Sequence, residues 1–441
     1  MLVELPAPVR QIIARLEHAG YEAYCVGGCV RDCLLGQTPG DWDLTTSATP
    51  AQTAAVFADC PLVTAGIKHG TVGVVLDKTM YEITTYRVDG DYADNRHPET
   101  VRFTPSLKLD LARRDFTVNA MAWNEKTGLV DPFGGQTDLE RGVLRTVGDP
   151  DERFAEDGLR IMRALRFSST LGFPLEPETA AAVHRGRTLL QNISAERLAS
   201  ELVKLLCGKD VFRVLMACPD VLSVFIPEIA PTVGFAQYGP KHAYDVWEHT
   251  CHTVEGVPPD KILRLTMLLH DLGKVPTHTL DEVGASKFTG HAAVGAQMAK
   301  TILTRLRFDK KTVERVTFLV AHHDFMPPKT KTDLKKALKT LTPDDVRTLL
   351  VIKKSDRGAL AEPYRDISAA SAQCLAWLGE IERDGDCCTT AQLALKGDAL
   401  LRAGAAPASV STLLDKALDA VIEGRVPNEP KALLTYLETN E

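Results

Sequence analysis

Nowhere in its 441 residues does the chain carry an apolar run near the ~20 residues that a membrane helix needs. A basic-then-apolar leader is also missing from the first residues, so export is not expected. The ten cysteines show no CxxC pairing. Cys25, Cys29 and Cys33 recur every fourth residue, yet no second His/Cys cluster completes a zinc set. Reduced thiols in a cytoplasmic protein are the expectation. Basic residues are not in excess: 51 Lys and Arg face 58 Asp and Glu, for a net charge of −7. That excludes a uniformly basic surface but not nucleic acid, which a local basic stripe can hold. Repeats and low-complexity tracts are absent, and no feature demands an obligate protein partner. The composition, 44% hydrophobic and 25% charged, is that of a folded globular chain, and its length favours two to four domains.

β-Character is confined to the first third. "YEAYCV" (21–26), "TVGVVL" (71–76) and "YEITTYR" (81–87) have the β-branched and aromatic content of strands. From about residue 150 the apolar spacing is three and four, as in "DGLRIMRALRFSSTL", "SAERLASELVKLL" and "PDKILRLTMLLHDLG". An α+β head followed by an all-helical body is predicted. Pro- and Gly-bearing joints fall in "TVGDPDERF", "PTVGFAQYGPKHAYD" and "AEPYRD".

Residues 25–45, "CVGGCVRDCLLGQTPGDWDLT", combine a glycine turn, an arginine and two alternating acids. On a strand, Asp41 and Asp43 share one face, where two carboxylates repel unless a cation lies between them. Mg²⁺ suits such a pair, because it takes one or two carboxylates together with phosphate oxygens. Gly27 and Gly28, lacking Cβ atoms, let backbone amides approach phosphates, and Arg31 lies one turn into the following helix. Glu82, within "YEITTYR", reads either as a third acid on a neighbouring strand or as a solvent-facing strand residue.

With these motifs in view, the chain resembles the class II tRNA nucleotidyltransferases, that is, the CCA-adding enzymes and bacterial poly(A) polymerases. "CVGGCVRDCLLGQTPGDWDLTTSATP" corresponds to the family's first motif and "YRVDGDYADNRHPETVRF" to its flexible loop. "DLARRDFTVNAMAWN", "DPFGGQTDLERGVLRTVGDP", "RFAEDGLRIMRALRFSSTLGF" and "ISAERLASELVKLL" follow in family order, over roughly residues 22 to 210. The resemblance implies that Asp41 and Asp43 hold catalytic Mg²⁺. It also implies that Gly28, Arg31 and one of Arg113 and Arg114 contact the incoming triphosphate; "RRDF" leaves that choice open. The fold it implies is a small mixed or antiparallel sheet head on an elongated helical body. The expected divisions are a head over 1–145, a helical neck over 146–235, an HD-type domain over 236–365 and a helical tail over 366–441.

Asp157 and Arg160, three apart, with Arg163 and Arg166 on the same face, read in two ways. One is an exposed salt-bridged helix, worth ~0.2–0.5 kcal/mol per pair. The other is a protein template for bases. Cytosine and adenine both place an amino donor beside a ring-nitrogen acceptor, which a carboxylate and a guanidinium match, whereas uracil and guanine offer a carbonyl in place of that donor. The family uses this segment for nucleotide selection.

Farther on, His249, the pair His270–Asp271 in "LLHDLGK", His291, His322 in "VAHHDF" and Asp356 form an ordered series resembling the HD phosphohydrolases. The resemblance implies His249, His270, Asp271 and Asp356 as ligands of a second divalent metal, with His291 and His322 accessory. Imidazoles suit Ni²⁺, Mn²⁺ or Co²⁺. Packed core histidines are the competing reading. Two basic stretches, "RLRFDKKTVERV" and "PPKTKTDLKKALK", read as solvated faces or as an RNA surface.

The sequence thus points to an enzyme that adds CCA to tRNA from CTP and ATP, gripping the acceptor and TΨC arms by shape. A poly(A) polymerase or a CC- or A-adding enzyme is the nearest rival. An HD phosphohydrolase or RNA-binding protein with an inactive head is the rival from another class.

Overall fold

The computed structural model describes residues 3–89 and 101–439, so residues 90–100 of the loop-like motif lie outside the described residues. Residues 1–230 with 302–309 form one compact unit, and 231–301 with 310–441 a second. Among the described residues no helix is long and apolar enough to cross a membrane.

The first unit opens with a mixed seven-stranded sheet. Its strands are β1 (Ala23–Val26), β2 (Leu44–Thr46), β3 (Leu62–Val63), β4 (Thr71–Leu76), β5 (Thr79–Thr85), β6 (Ala122–Asn124) and β7 (Gly128–Val130). They lie in the order β3-β4-β5-β2-β1-β6-β7. Only β2 and β5 pair in parallel. All four residues of β1 are buried, the pattern of a strand covered on both faces. One cluster beneath the sheet joins Tyr24, Val26, Tyr86, Leu111 and Ala122. It draws Leu111 from helix α2 (Leu107–Ala112), which follows α1 (Gly28–Leu34).

Beyond the sheet, α3 (Pro150–Glu156) and α4 (Leu159–Leu171) are separated by Asp157–Gly158, and α5 (Ala195–Leu206) packs on α4. A continuous helix through "EDGLRIMRALR" is therefore corrected to two. The break falls at Asp157, whose carboxylate accepts the Leu159 amide at 3.0 Å as the second helix begins, while Gly158 is itself helical (φ −56°, ψ −24°) and packs close to Leu189. Asp157 adopts extended backbone there (φ −139°, ψ 103°).

The second unit is helical. It contains α6 (Val246–Gly256), α7 (Lys261–Leu269), most of α8 (His291–Arg305), α9 (Lys310–His322), α10 (Lys331–Ala337), α11 (Pro343–Gly358), α12 (Ser368–Asp384) and α13 (Val410–Ile422). β-Structure is not wholly confined to the head, since Thr279–Leu280 and Ser286–Lys287 form a short antiparallel ribbon. At the end of the chain Leu395, Ala417, Leu418, Ala420 and Leu433 build a separate core.

Four of the five lysines of "PPKTKTDLKKALK" have acidic partners within this unit. Lys331 meets Glu380 at 3.0 Å, Lys335 meets Asp386 at 2.7 Å, Lys336 meets Glu423 at 2.7 Å and Lys339 meets Asp419 at 2.8 Å. These pairs tie α10 to the last helices, so this charge is largely neutralised within the chain.

Candidate functional site

The glycine turn sits between β1 and α1. Gly27 has φ +80° and ψ −131°, open only to glycine, and its amide donates to the Met121 carbonyl at 3.2 Å. A Cβ there would lie 3.1 Å from Arg114 Nη1. The turn therefore keeps room for that guanidinium as well as bending the chain.

Asp41 and Asp43 lie in the segment entering β2 rather than within it. The Asp43 carbonyl accepts the Val26 amide at 3.0 Å, which fixes this segment beside β1. Leu44 pairs in parallel with Ile83, so Asp43 and Glu82 each stand one residue before the pair, side by side. The Asp43 carboxylate keeps an open side toward solvent while protein crowds the others. This loss of water and the nearby Asp41 charge push its carboxyl up from the ordinary value; Arg114 opposes them and Glu82 adds to them. Three acids thus gather here, with Arg114 as their counter-charge.

The adjacent arginines separate by environment. Arg113 makes a two-pronged contact with the fully buried Asp110, at 2.7 and 3.0 Å. Arg114 reaches Asp110 only at 3.5 Å, and its buried Nε has no hydrogen-bond partner among the described residues. Arg31, also buried, donates to Asn119 Oδ1 and to Asp32 Oδ1.

The expected pairing of Asp157 with Arg160 is replaced by other contacts. Asp157 accepts the Leu159 amide at 3.0 Å and meets Arg197 of α5 at 3.3 Å. Arg160 donates to Glu156 and to the carbonyls of Arg153 and Arg113, at 3.0 and 2.8 Å for the carbonyls. The Arg160 amide does donate to the Asp157 carbonyl at 2.9 Å, but Asp157 is in extended backbone outside the helix and its side chain is directed away from the Arg160 guanidinium. Arg163 donates to Asp115 at 2.8 Å through Nε, and Arg166 meets Glu201 at 2.9 Å. Burial and the neighbouring Arg163 charge pull the Arg166 guanidinium down to about 10.

Asp115 has a consequence for stability. Burial alone would raise its carboxyl, but Arg163 and the Asn119 amide outweigh that and hold it at about 2. A depressed folded value means stabilisation that is present above the unfolded value of ~3.9 and lost as pH falls toward the folded one. Asp115→Ala should therefore flatten the loss of stability between roughly pH 4 and pH 2, by on the order of 2 kcal/mol. Urea unfolding at stepped pH measures this.

The second unit gathers the HD series. His249 (α6) places Nε2 3.1 Å from Asp356 Oδ1 (α11) and 3.4 Å from Asp271 Oδ2. His270 Nε2 is 3.2 Å from the same Asp271 oxygen. His270 Nε2 is buried without a hydrogen-bond partner among the described residues, whereas the Asp271 oxygen has the Lys274 ammonium beside it at 2.7 Å. His291 Nε2 lies 3.7 Å from Asp271 Oδ1 and 3.1 Å from His323 Nε2.

His323 takes the place expected of His322. His322 ends α9 on its exposed side, stacked on Phe318 with ring centroids 4.3 Å apart. One residue further, the chain turns the next imidazole inward, and His323 is 1% exposed.

In all four clustered histidines Nδ1 faces a main-chain carbonyl: His249 to Ala359 at 3.3 Å, His270 to Met267 at 2.7 Å, His291 to Phe288 at 2.8 Å and His323 to Val320 at 2.7 Å. Donation from Nδ1 leaves the Nε2 lone pairs aimed at carboxylate oxygens. Lone pairs facing lone pairs in a buried site fit a metal cation, with the carbonyls orienting the ligands. Two sets of ligand atoms are close enough to hold an ion: His249, His270 and Asp271, and Asp271, His291 and His323. Asp271 is shared between them. Burial would raise its carboxyl, but His270 and Lys274 hold it well below the ordinary range.

Residues the sequence reading did not single out complete the surroundings. Lys274 meets Asp271 at 2.7 Å, and Lys353 bridges Asp356 at 2.8 Å and Asp324 at 3.1 Å. The run "HHD" carried the signal for His323 and Asp324. A lysine on a helix gave none. The cluster opens into a cavity of ≈ 420 Å³ whose walls include His242, Lys274, Phe288 and His291.

Three family models match the chain: "Poly A polymerase head domain" over residues 23–145, "Probable RNA and SrmB- binding site of polymerase A" over 172–232, and "HD domain" over 241–361. The CCA-adding enzyme of Geobacillus thermodenitrificans is 43% identical over 282 residues, covering 62% of this chain and 68% of that protein. The CCA-adding enzyme of Lacticaseibacillus paracasei is 36% identical over 429 residues, 96% of this chain and 94% of that one. Among solved structures, the Bacillus stearothermophilus CCA-adding enzyme in complex with CTP is similar, with a TM-score of 0.70 and 29% identity. The match spans 99% of this chain and 98% of that one.

Proposed function

This chain belongs to the CCA-adding enzymes, and from that membership we propose how its two residue clusters divide the work on a tRNA 3′ end. The chain is a tRNA nucleotidyltransferase acting with CTP and ATP, in a family that implies a divalent metal. Asp41 and Asp43, with Glu82 beside them, hold Mg²⁺. When bound, the metal supplies positive charge to the triphosphate and to the attacking 3′ hydroxyl. The chain's own residues do the rest. Gly27 and Gly28 let the backbone approach the phosphates, and Arg31 sets the edge of that pocket.

Arg114, not Arg113, is the triphosphate contact. The observation that carries this choice is its guanidinium, 3.1 Å from the position of a Gly27 Cβ, with Nε unpartnered. Arg113 is occupied by Asp110 and orients the strand-to-helix junction instead.

Base choice falls to the α3–α4 junction. Asp157 accepts the exocyclic amino group of cytosine or adenine, and Arg160, steadied by Glu156 and the Arg113 carbonyl, donates to the ring nitrogen. Arg163 and Arg166 shape the pocket behind them. A uracil or guanine carbonyl facing Asp157 leaves two acceptors unpaired, at a cost of ~1–3 kcal/mol. In single-turnover incorporation on tRNA ending before CCA, Asp157→Ala should lower the preference for CTP over UTP by about tenfold or more. Unchanged preference with slower turnover would remove Asp157 from base choice. Failure of the unaltered protein to add both C and A would sink the CCA reading itself.

The second cluster is read as a phosphohydrolase centre. His249, His270, Asp271 and Asp356 hold a transition metal such as Ni²⁺, Mn²⁺ or Co²⁺, with His291 and His323 beside them. A metal held there would supply the Lewis-acid charge that phosphoester hydrolysis needs. Lys353 keeps Asp356 oriented and Lys274 does the same for Asp271, while the cavity in front admits a phosphoester. The four carbonyl-anchored imidazoles are the support for this reading.

A further inference from the structure

We infer that Phe167 is a positioning residue for nucleotide addition, coupling the phosphate-side Arg31 to the base-selecting helix α4. The inference rests on the assignment of Arg31 and α4 made above. Three guanidinium carbons approach this one ring: Arg166 at 3.8 Å from the centroid, Arg31 at 5.1 Å and Arg163 at 5.4 Å. The ring is itself held edge-on by the fully buried Phe116, with centroids 5.8 Å apart at 78°.

Around the ring runs a polar circuit. Arg31 donates to Asn119 Oδ1, Asn119 Nδ2 donates to Asp115 Oδ1 at 3.0 Å, and Arg163 donates to Asp115 Oδ2. Arg166 is fixed separately by Glu201. Arg31 belongs to α1 at the glycine turn, whereas Arg163 and Arg166 belong to α4. The circuit therefore links the two elements through hydrogen bonds on one side and through the ring on the other.

Three like charges gathered this closely repel one another. Three carboxylates, Asp32, Asp115 and Glu201, offset part of that repulsion, and the electron-rich face of an aromatic ring attracts cations where an aliphatic side chain does not. Any apolar residue of similar volume would fill the space. Only an aromatic one also draws the guanidiniums inward and fixes the separation between phosphate grip and base-reading pocket. An error in that separation weakens binding of a whole nucleoside triphosphate, because one end can be seated only by displacing the other.

The test compares Phe167→Leu with Phe167→Tyr in steady-state addition of CTP and ATP to tRNA ending before the respective nucleotide. The Leu variant should raise KM for both nucleotides about tenfold and change kcat less than about threefold, since the ring acts through the arginines. Its CTP-over-UTP preference should fall about fivefold, while the Tyr variant, which keeps the ring face, stays within about twofold of the unaltered protein. Thermal melting accompanies each measurement, and Phe167→Met replaces Leu if that variant does not fold. Equal losses in the Leu and Tyr variants, or a lowered melting temperature with unchanged KM and preference, would show that Phe167 only packs. Arg31→Lys in the unaltered background separates the two layers. If it leaves KM unchanged, the phosphate role of Arg31 fails; if it raises KM while Phe167→Leu does not, only the coupling fails.

Discussion

Asp41→Ala and Asp43→Ala should each lower CTP incorporation by about a thousandfold or more, because a catalytic divalent metal contributes several kcal/mol and each 1.4 kcal/mol is a factor of ten. Binding of tRNA, measured by filter retention at fixed salt, should change little. The carboxylates lie in the segment entering β2, where Asp43 is open to solvent on one side, so their removal leaves no hole in the core. Protein crowding, the Asp41 charge and Glu82 already push the Asp43 carboxyl up, with only Arg114 opposing. Taking away one acid therefore relieves repulsion in the folded protein, and either variant should melt no lower than the parent. The expected signature is lost chemistry with retained stability. Near-parental turnover in either variant would refute the metal assignment. Glu82→Ala is the graded comparison. Its carboxylate sits on the neighbouring strand at the same level as Asp43, and a smaller loss than for Asp43 is expected.

His270→Ala should eliminate hydrolysis of a 2′,3′-cyclic phosphate, assayed with Ni²⁺, Mn²⁺ or Co²⁺, while CTP addition by the same preparation stays within about twofold, since the ligand removed serves only the second cluster. His270 is completely buried, but its loss leaves Asp271 paired with Lys274 at 2.7 Å. Asp356→Asn gives a second reading of the same site. It removes the charge that Lys353 contacts at 2.8 Å and should abolish hydrolysis as well. His322→Ala should leave hydrolysis unaltered and His323→Ala should not, because only the second of these imidazoles faces Asp271, at 3.8 Å. Parallel loss of both activities in His270→Ala would mean a folding defect or a common site. Absence of hydrolysis in the unaltered protein, with metal supplied, would leave the histidines as scaffold.

Much of this was legible in the chain itself. Strand β4 falls where "TVGVVL" placed it, because β-branched residues bounded by turn residues are a local signal. The helices at 195–206 and 261–269 likewise follow from spacing of three and four. The motif order gave the family, and the acids, the glycine turn and the HD series were all found as residue types at short spacing. What spacing alone assigned wrongly were orientations. Asp157 and Arg160 are three apart, yet Asp157 takes extended backbone between two helices, caps the second through the Leu159 amide and turns its other oxygen to Arg197. His322 and His323 are chemically the same, and a difference of one residue, about 100° around a helix, decides which is buried.

The sequence by itself determined composition, element type and the inventory of chemical groups, because those depend on neighbours within a few positions. The tertiary structure alone decided which groups meet. It placed Arg114 rather than Arg113 against Gly27, closed the circuit from Arg31 through Asn119 and Asp115 to Arg163, and turned the lysines of α10 onto acids 49 to 87 residues away. Those choices follow from burial. A charged group deprived of water must find a partner wherever the fold supplies one, and that partner can come from any distance along the chain.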